Sequence, residues 1–176
     1  MDKIILIGFR CVGKTTIGKR LAEALNWKFL DLDIEIQKET KKTIKELVEE
    51  KGWDYFRKVE KESMKKLKDM KNVVIALGGG SVIHEDEMKL LFKKSFIVWL
   101  YSSPEVILER MKKDEKTISQ RPSLKNSGLE KEIRDVLKER IPLYEKFSHF
   151  KIDTDSIDVE GAVEKILKNI PQGEKR

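Results

Sequence analysis

The feature that most constrains this chain is Gly8-Phe9-Arg10-Cys11-Val12-Gly13-Lys14-Thr15, which fits G-x-x-x-x-G-K-[ST]. The short apolar run Lys3–Ile7 before it reads as a strand, and residues 14–25 after it have helical spacing. Strand before and helix after is the context the motif requires. Gly8 and Gly13 permit backbone conformations that a side chain would block. The N–H groups of the loop, those of Cys11, Val12 and Gly13 among them, then turn inward on an anion, aided by the helix N-terminus. In a loop of this kind Lys14 reaches the β- and γ-phosphates of a nucleotide, the Thr15 hydroxyl ligates magnesium and Thr16 adds a contact to the α-phosphate. A plain glycine turn carrying an exposed lysine is the bland alternative. It leaves unexplained why the motif stands where it does.

Four further apolar runs read as strands: Lys28–Leu32, Val73–Leu77, Phe96–Leu100 and Phe150–Ile152. Between them lie segments with helical spacing at 43–50, 53–70, 85–93, 104–113, 129–146 and 158–169. Ser103 before Pro104 marks one helix start, and Ser127 with Glu130 has capping-box spacing at another. Continuously apolar strands are covered on both faces, and strands alternating with helices pair in parallel through right-handed crossovers. The expectation is one three-layer α/β domain over residues 1–170, with 171–176 as a frayed tail. At 176 residues one core buries enough apolar surface without staples. The polar stretch around 112–128 is too long for an idle connection in so compact a chain.

Composition narrows the function classes. Lys and Arg total 37 against 31 Asp and Glu, a net charge of +6. The two signs are interleaved, which is the pattern of a solvated, ion-paired surface. Basic residues clustered with stacking aromatics are missing from the sequence, so a nucleic-acid partner is not expected. One cysteine permits no intrachain disulfide, which fits a reducing cytoplasm. The start MDKIILIGF reads as a first strand and not as a signal peptide, and no run approaches the ~20 apolar residues that span a bilayer. A soluble, cytoplasmic, monomeric protein without membrane contact is expected.

Several residues outside the loop carry chemistry. Asp31-Leu32-Asp33 ends the second predicted strand. Residues two apart in an extended chain point the same way, so both carboxylates face the crevice at the strand ends. One suits magnesium, held through water, and the other suits accepting a proton from a hydroxyl; an Asx turn and helix cap is the competing reading. Arg140 falls on the apolar stripe Leu129, Ile133, Val136, Leu137, Ile141 and Tyr144. A charge there is costly unless paired, so it faces an anion in a cleft or forms a buried ion pair. Arg57 has Glu60 one turn on to orient it. Two arginines aimed at one place suit a carboxylate, since guanidinium forks match it bidentately. Arg121, before Pro122, sits where a loop can close over phosphates. Arg110 is read either as lying against an adenine face or as a plain surface residue. Gly78-Gly79-Gly80 follows a strand and suggests close backbone approach to a ligand, or simply a flexible loop, with Ser81 capping the next segment.

Taken in order, these residues resemble the shikimate kinase family over nearly the whole chain. The marks are the loop 8–16, D-x-D at Asp31 and Asp33, F-R-x-x-E at Phe56, Arg57 and Glu60, and G-G-G at 78–80. R-P at Arg121 and Pro122 and R-x-P-L-Y through Arg140, Pro142, Leu143 and Tyr144 complete them. The resemblance implies a P-loop, nucleoside-monophosphate-kinase-like fold, three-layer α/β/α with a five-stranded parallel sheet of order 2-3-1-4-5. It implies transfer of the ATP γ-phosphoryl to the shikimate 3-hydroxyl with Mg2+, in aromatic amino-acid biosynthesis. By similarity, Asp33 is the base and binds shikimate hydroxyls, Asp31 and Thr15 hold the metal, and Arg57, Glu60, Gly79, Gly80 and Arg140 hold shikimate. Lys14, Arg110 and Arg121 attend ATP, with a substrate-binding segment near 33–62 and a lid near 112–127. The family's loop often has glycine where this chain has Cys11. A gluconate or nucleoside monophosphate kinase would use the same cradle with different acceptor contacts.

Overall fold

The computed structural model describes residues 1–114 and 128–171. Arg121, Pro122, Ser127 and nearly all of the expected lid lie outside the described residues, as does the tail from 172. Strand β1 (Lys3–Ile7) is buried along its length. Its period of two divides the core: Ile4 and Leu6 enter one apolar cluster, Ile5 and Ile7 the other. The chain then runs α1 (Lys14–Leu25), β2 (Lys28–Asp31), α2 (Leu32–Thr40), α3 (Ile44–Lys66) and β3 (Val73–Ala76). After a 3₁₀ turn (Ser81–Ile83) come α4 (Glu85–Phe92), β4 (Ser95–Tyr101), α5 (Pro104–Lys113), α6 (Leu129–Lys146), β5 (Phe150–Asp153) and α7 (Val159–Asn169).

The five strands form one parallel sheet of order β2-β3-β1-β4-β5. In register, Ile5 stands between Ile75 and Ile97. Leu21 of α1, Ile107 of α5, Ile133 of α6 and Ile166 of α7 pack on one face. Ile36 of α2, Phe56 of α3 and Met88 of α4 pack on the other, joined by Tyr144 from α6. The three-layer arrangement and the strand order are those expected.

From β1 the chain builds the sheet toward β2 and β3, then crosses to β4 and β5 on the other side. Such a reversal opens a crevice at the carboxyl ends of the strands. The loop after β1, Asp31 at the end of β2 and the triple glycine after β3 all meet there. Among the described residues, no helix is long and apolar enough to cross a membrane.

One local feature differs from the sequence expectation. β2 ends at Asp31 and passes straight into α2, a helix the spacing did not announce. The helices expected at 43–50 and 53–70 are both present within Ile44–Lys66, divided at Gly52, whose φ of 81° is not helical. Helix α6 begins at Leu129 as expected, with Gly128 at its N-cap position; Ser127 of the expected capping box lies outside the described residues. Ser103 caps α5 as expected, accepting from the Val106 N–H ahead of Pro104.

Candidate active site

Gly8 adopts φ 144°, and a Cβ there would lie 2.3 Å from the Leu100 carbonyl oxygen of β4. Glycine is therefore required for the loop to seat against the sheet. The Val12 side chain packs into the core beneath the loop. Lys14 Nζ donates to the carbonyls of Gly8 at 2.8 Å and Phe9 at 2.7 Å, so the ammonium lies along the loop it serves. Cys11 holds φ 58°, a left-handed conformation that disfavours a Cβ. Its carbonyl accepts from Arg110 Nη1 at 3.2 Å. Arg110 also donates to the Thr154 carbonyl at 2.9 Å and the Thr154 hydroxyl at 3.3 Å. It is a brace between the loop and the end of β5, as well as a wall of the nucleotide-sized pocket. Gly13, Lys14, Thr15, Thr16, Asp31 and Asp33 line the same pocket.

The Asp31–Asp33 pair reaches the crevice by a different route from the one expected. Asp31 is the last strand residue and also the N-cap of α2; its Oδ1 accepts from the backbone N–H groups of Asp33 and Ile34. Its Oδ2 accepts from the Thr15 hydroxyl at 2.7 Å. Capping and site readings therefore hold together, one oxygen for each. Asp33 stands in the first turn of α2, not in an extended chain, and is 6% exposed. Among the described residues no group of three or more His, Cys, Asp or Glu is placed to hold a metal ion. A hydroxyl beside one carboxylate fits Mg2+, which keeps most of its waters and binds phosphates through one or two protein oxygens.

Next to the nucleotide pocket, and sharing Arg10 and Asp33 with it, lies a second pocket walled by Arg57, Glu60, Arg140 and the triple glycine. Arg140 is 8% exposed; burial lowers its pKa from the ordinary value, and Arg57 nearby acts in the same sense. Tyr144, one turn on, works against that shift through a hydrogen bond to Arg140. The Tyr144 hydroxyl donates to the Gly79 carbonyl at 2.5 Å, and burial pushes its pKa up to about 12, so it stays a neutral donor. Arg57 Nη1 donates to Glu60 Oε2 at 2.6 Å, and its guanidinium lies over the rings of Trp53 and Phe56. This is a partly buried pair, not an ordinary surface one.

The triple glycine admits site side chains. A Cβ on Gly80 would sit 2.5 Å from both Arg57 Nη atoms, and one on Gly78 would meet Asp33 Oδ1 at 2.7 Å and Glu60 Oε1 at 2.9 Å. Gly79 packs on the backbone of the phosphate loop. Ser81 does not cap; it opens the 3₁₀ turn, and its hydroxyl donates to Glu60 Oε1 at 2.8 Å. Two residues escaped the sequence reading. Arg10, 8% exposed, was an unspecified position inside the motif, and its charge within an otherwise apolar loop was the available signal. His84 carried no spacing signal, and only the fold brings it to Glu60.

Two adjoining pockets, one behind a phosphate loop and one lined by arginines, on a 2-3-1-4-5 parallel sheet define a P-loop kinase of small molecules. The sequence profile of the shikimate kinase family matches residues 10–171. The chain belongs to that family. It is 40% identical over 168 residues to a shikimate kinase of Thermodesulfovibrio yellowstonii, covering 96% of this chain and 94% of the relative. It is 42% identical to one from Caldicellulosiruptor saccharolyticus, covering 95% and 94%. A solved shikimate kinase from Acinetobacter baumannii in complex with shikimate superposes with a TM-score of 0.90 at 34% identity, over 100% of this chain and 96% of that one. A gluconokinase from Sinorhizobium meliloti reaches a TM-score of 0.59 at 18% identity, covering 95% and 90%, which is a likeness of fold alone.

Proposed function

We propose that this chain transfers the γ-phosphoryl group of ATP to the 3-hydroxyl of shikimate, giving shikimate 3-phosphate and ADP, within aromatic amino-acid biosynthesis. The observation that carries the reading is the shared wall: Asp33 and Arg10 border both the nucleotide pocket and the arginine-lined pocket. An acceptor held by Arg57 and Arg140 meets the transferred group there. Family membership supports the choice of acceptor.

The chemistry follows from the parts. The amides of the loop 8–16 and Lys14 hold the β- and γ-phosphates and stabilise charge on the transferring group. A magnesium ion carried by the nucleotide would be held by Thr15 and, through water, by Asp31, and would draw charge from the phosphate oxygens. Arg57 and Arg140 clamp the acceptor carboxylate, with Glu60 orienting Arg57, and Gly79 and Gly80 bring backbone close to the ring. This fixes the hydroxyl in line, where proximity contributes most. Asp33 accepts the hydroxyl proton as the new O–P bond forms and the bond to the β-phosphate bridging oxygen breaks. Arg110 borders the nucleotide from α5.

The test is ATP consumption against shikimate, gluconate and nucleoside monophosphates. Shikimate should stimulate ADP release by orders of magnitude over the no-acceptor rate, and the others should not. Stimulation by gluconate or a nucleoside monophosphate, with none by shikimate, overturns the reading.

A further inference from the structure

Glu60 is 1% exposed, and a buried carboxylate needs its lone pairs filled. Its partners come from two directions. Arg57, on its own helix, supplies one N–H at 2.6 Å. The other two partners come from the turn after the triple glycine. Ser81 Oγ donates to Oε1 at 2.8 Å, and His84 Nε2 lies 2.9 Å from Oε2. In a 3₁₀ turn residues i and i+3 eclipse, so Ser81 and His84 present side chains to one point. Burial works to raise the Glu60 pKa, and the bonds from His84, Arg57 and Ser81 outweigh it, leaving the carboxyl below the ordinary range. An ionised carboxylate only accepts, so His84 Nε2 carries the hydrogen and donates it.

We propose that His84 is a positioning residue for the acceptor: through Glu60 Oε2 it sets the plane and reach of Arg57, which the acceptor carboxylate reads. The guanidinium has little freedom besides. Gly80 lies beneath it, close enough that a Cβ would strike both Nη atoms, and the Trp53 ring stands 5.2 Å away. Ser81 fixes one carboxylate oxygen, and His84 fixes the one Arg57 uses. Without His84, Glu60 Oε2 is left to Arg57 alone and the carboxylate turns about its remaining bonds, so Arg57 is drawn toward Glu60 and offers less to the acceptor. Bidentate recognition loses strength when its fork is misaligned.

The inference rests on shikimate as acceptor, and the experiment separates the two. His84→Leu removes the donor; His84→Gln returns an amide N–H at comparable reach. For His84→Leu the shikimate KM should rise about tenfold, the effect of losing one hydrogen bond to a charged group, with kcat and ATP KM within about twofold. His84→Gln should recover most of that loss. A purely structural role predicts instead a lowered melting temperature, and losses in ATP KM and kcat that glutamine does not repair. An unchanged shikimate KM in a normally melting His84→Leu protein overturns this inference alone. Wild-type protein inactive on shikimate overturns the acceptor assignment and this inference with it. If His84→Leu does not fold, Ser81→Ala decides: a rise of about threefold in shikimate KM alone supports the network, and no rise overturns it.

Discussion

The two halves of the site are built in opposite ways. The phosphate cradle is a contiguous stretch, residues 8–16, whose working groups are mostly backbone amides fixed by Gly8 and Gly13. The acceptor pocket is a set of side chains from separate places: Arg10 after β1, Asp33 on α2, Arg57 and Glu60 on α3, Arg140 on α6. Each carries a charge into a buried or, for Arg57, half-buried place, so each depends on the others for compensation. The cradle is therefore a local device that, Arg10 apart, tolerates changes of side chain at its unspecified positions. The pocket is a collective one, in which a single changed atom moves charge balance and geometry together.

Asp33 borders both halves and tests the contrast most severely. Asp33→Asn keeps the volume but removes the base. We expect kcat to fall by about 10²–10⁴, the usual range for general-base loss, with ATP KM changed only a few-fold. Single-turnover phosphoryl transfer alongside nucleotide titration measures both. Near-normal turnover would remove Asp33 as the base and leave the cradle and clamp to act alone.

This contrast also explains what the sequence could reveal. The cradle was legible because its chemistry is its spacing, confirmed by strand before and helix after. Arg140 was legible because a charge on an apolar helical stripe demands a partner, and the structure buries it beside Arg57, Glu60 and Tyr144. The Asp31–Asp33 pair was found for a reason that does not hold, since Asp33 is helical. Helix α2 was hidden because its nine residues bury only Leu32, Asp33 and Ile36, too short a stripe to show a period, and because no loop separates it from β2. The single cap residue Asp31 takes the place of a turn. Arg10 and His84 were missed for opposite reasons: one lay inside a motif as a free position, the other becomes a neighbour of Glu60 only across a separation of 24 residues.

A milder break confined to the acceptor side is Arg140→Lys. It keeps the charge and loses the planar fork. The shikimate KM should rise by about 10–100-fold, the equivalent of roughly 1.5–3 kcal/mol of charged hydrogen bonding, while ATP KM stays within about twofold. Initial-rate kinetics with each substrate varied in turn decides. An equal rise in both KM values would mean that the two pockets are not separable in the way their linings suggest.

The smallest effect is expected inside the cradle, at Cys11→Gly. The cysteine sits at φ 58°, where a Cβ costs roughly 1–2 kcal/mol, and glycine removes that strain. Glycine also adds freedom to the unfolded chain, which takes back about 0.5–1 kcal/mol. The balance favours the variant by at most about 1.5 kcal/mol, a rise of no more than roughly 3–6 °C in melting temperature for a chain of this size. The ATP KM should stay within about twofold, because what the loop offers phosphate at position 11 is a backbone N–H that either residue supplies. The Arg110 bond to the Cys11 carbonyl is likewise indifferent to the side chain. A large change in ATP KM would show that the thiol itself contributes to nucleotide binding, and would move this position from the backbone device to the side-chain one.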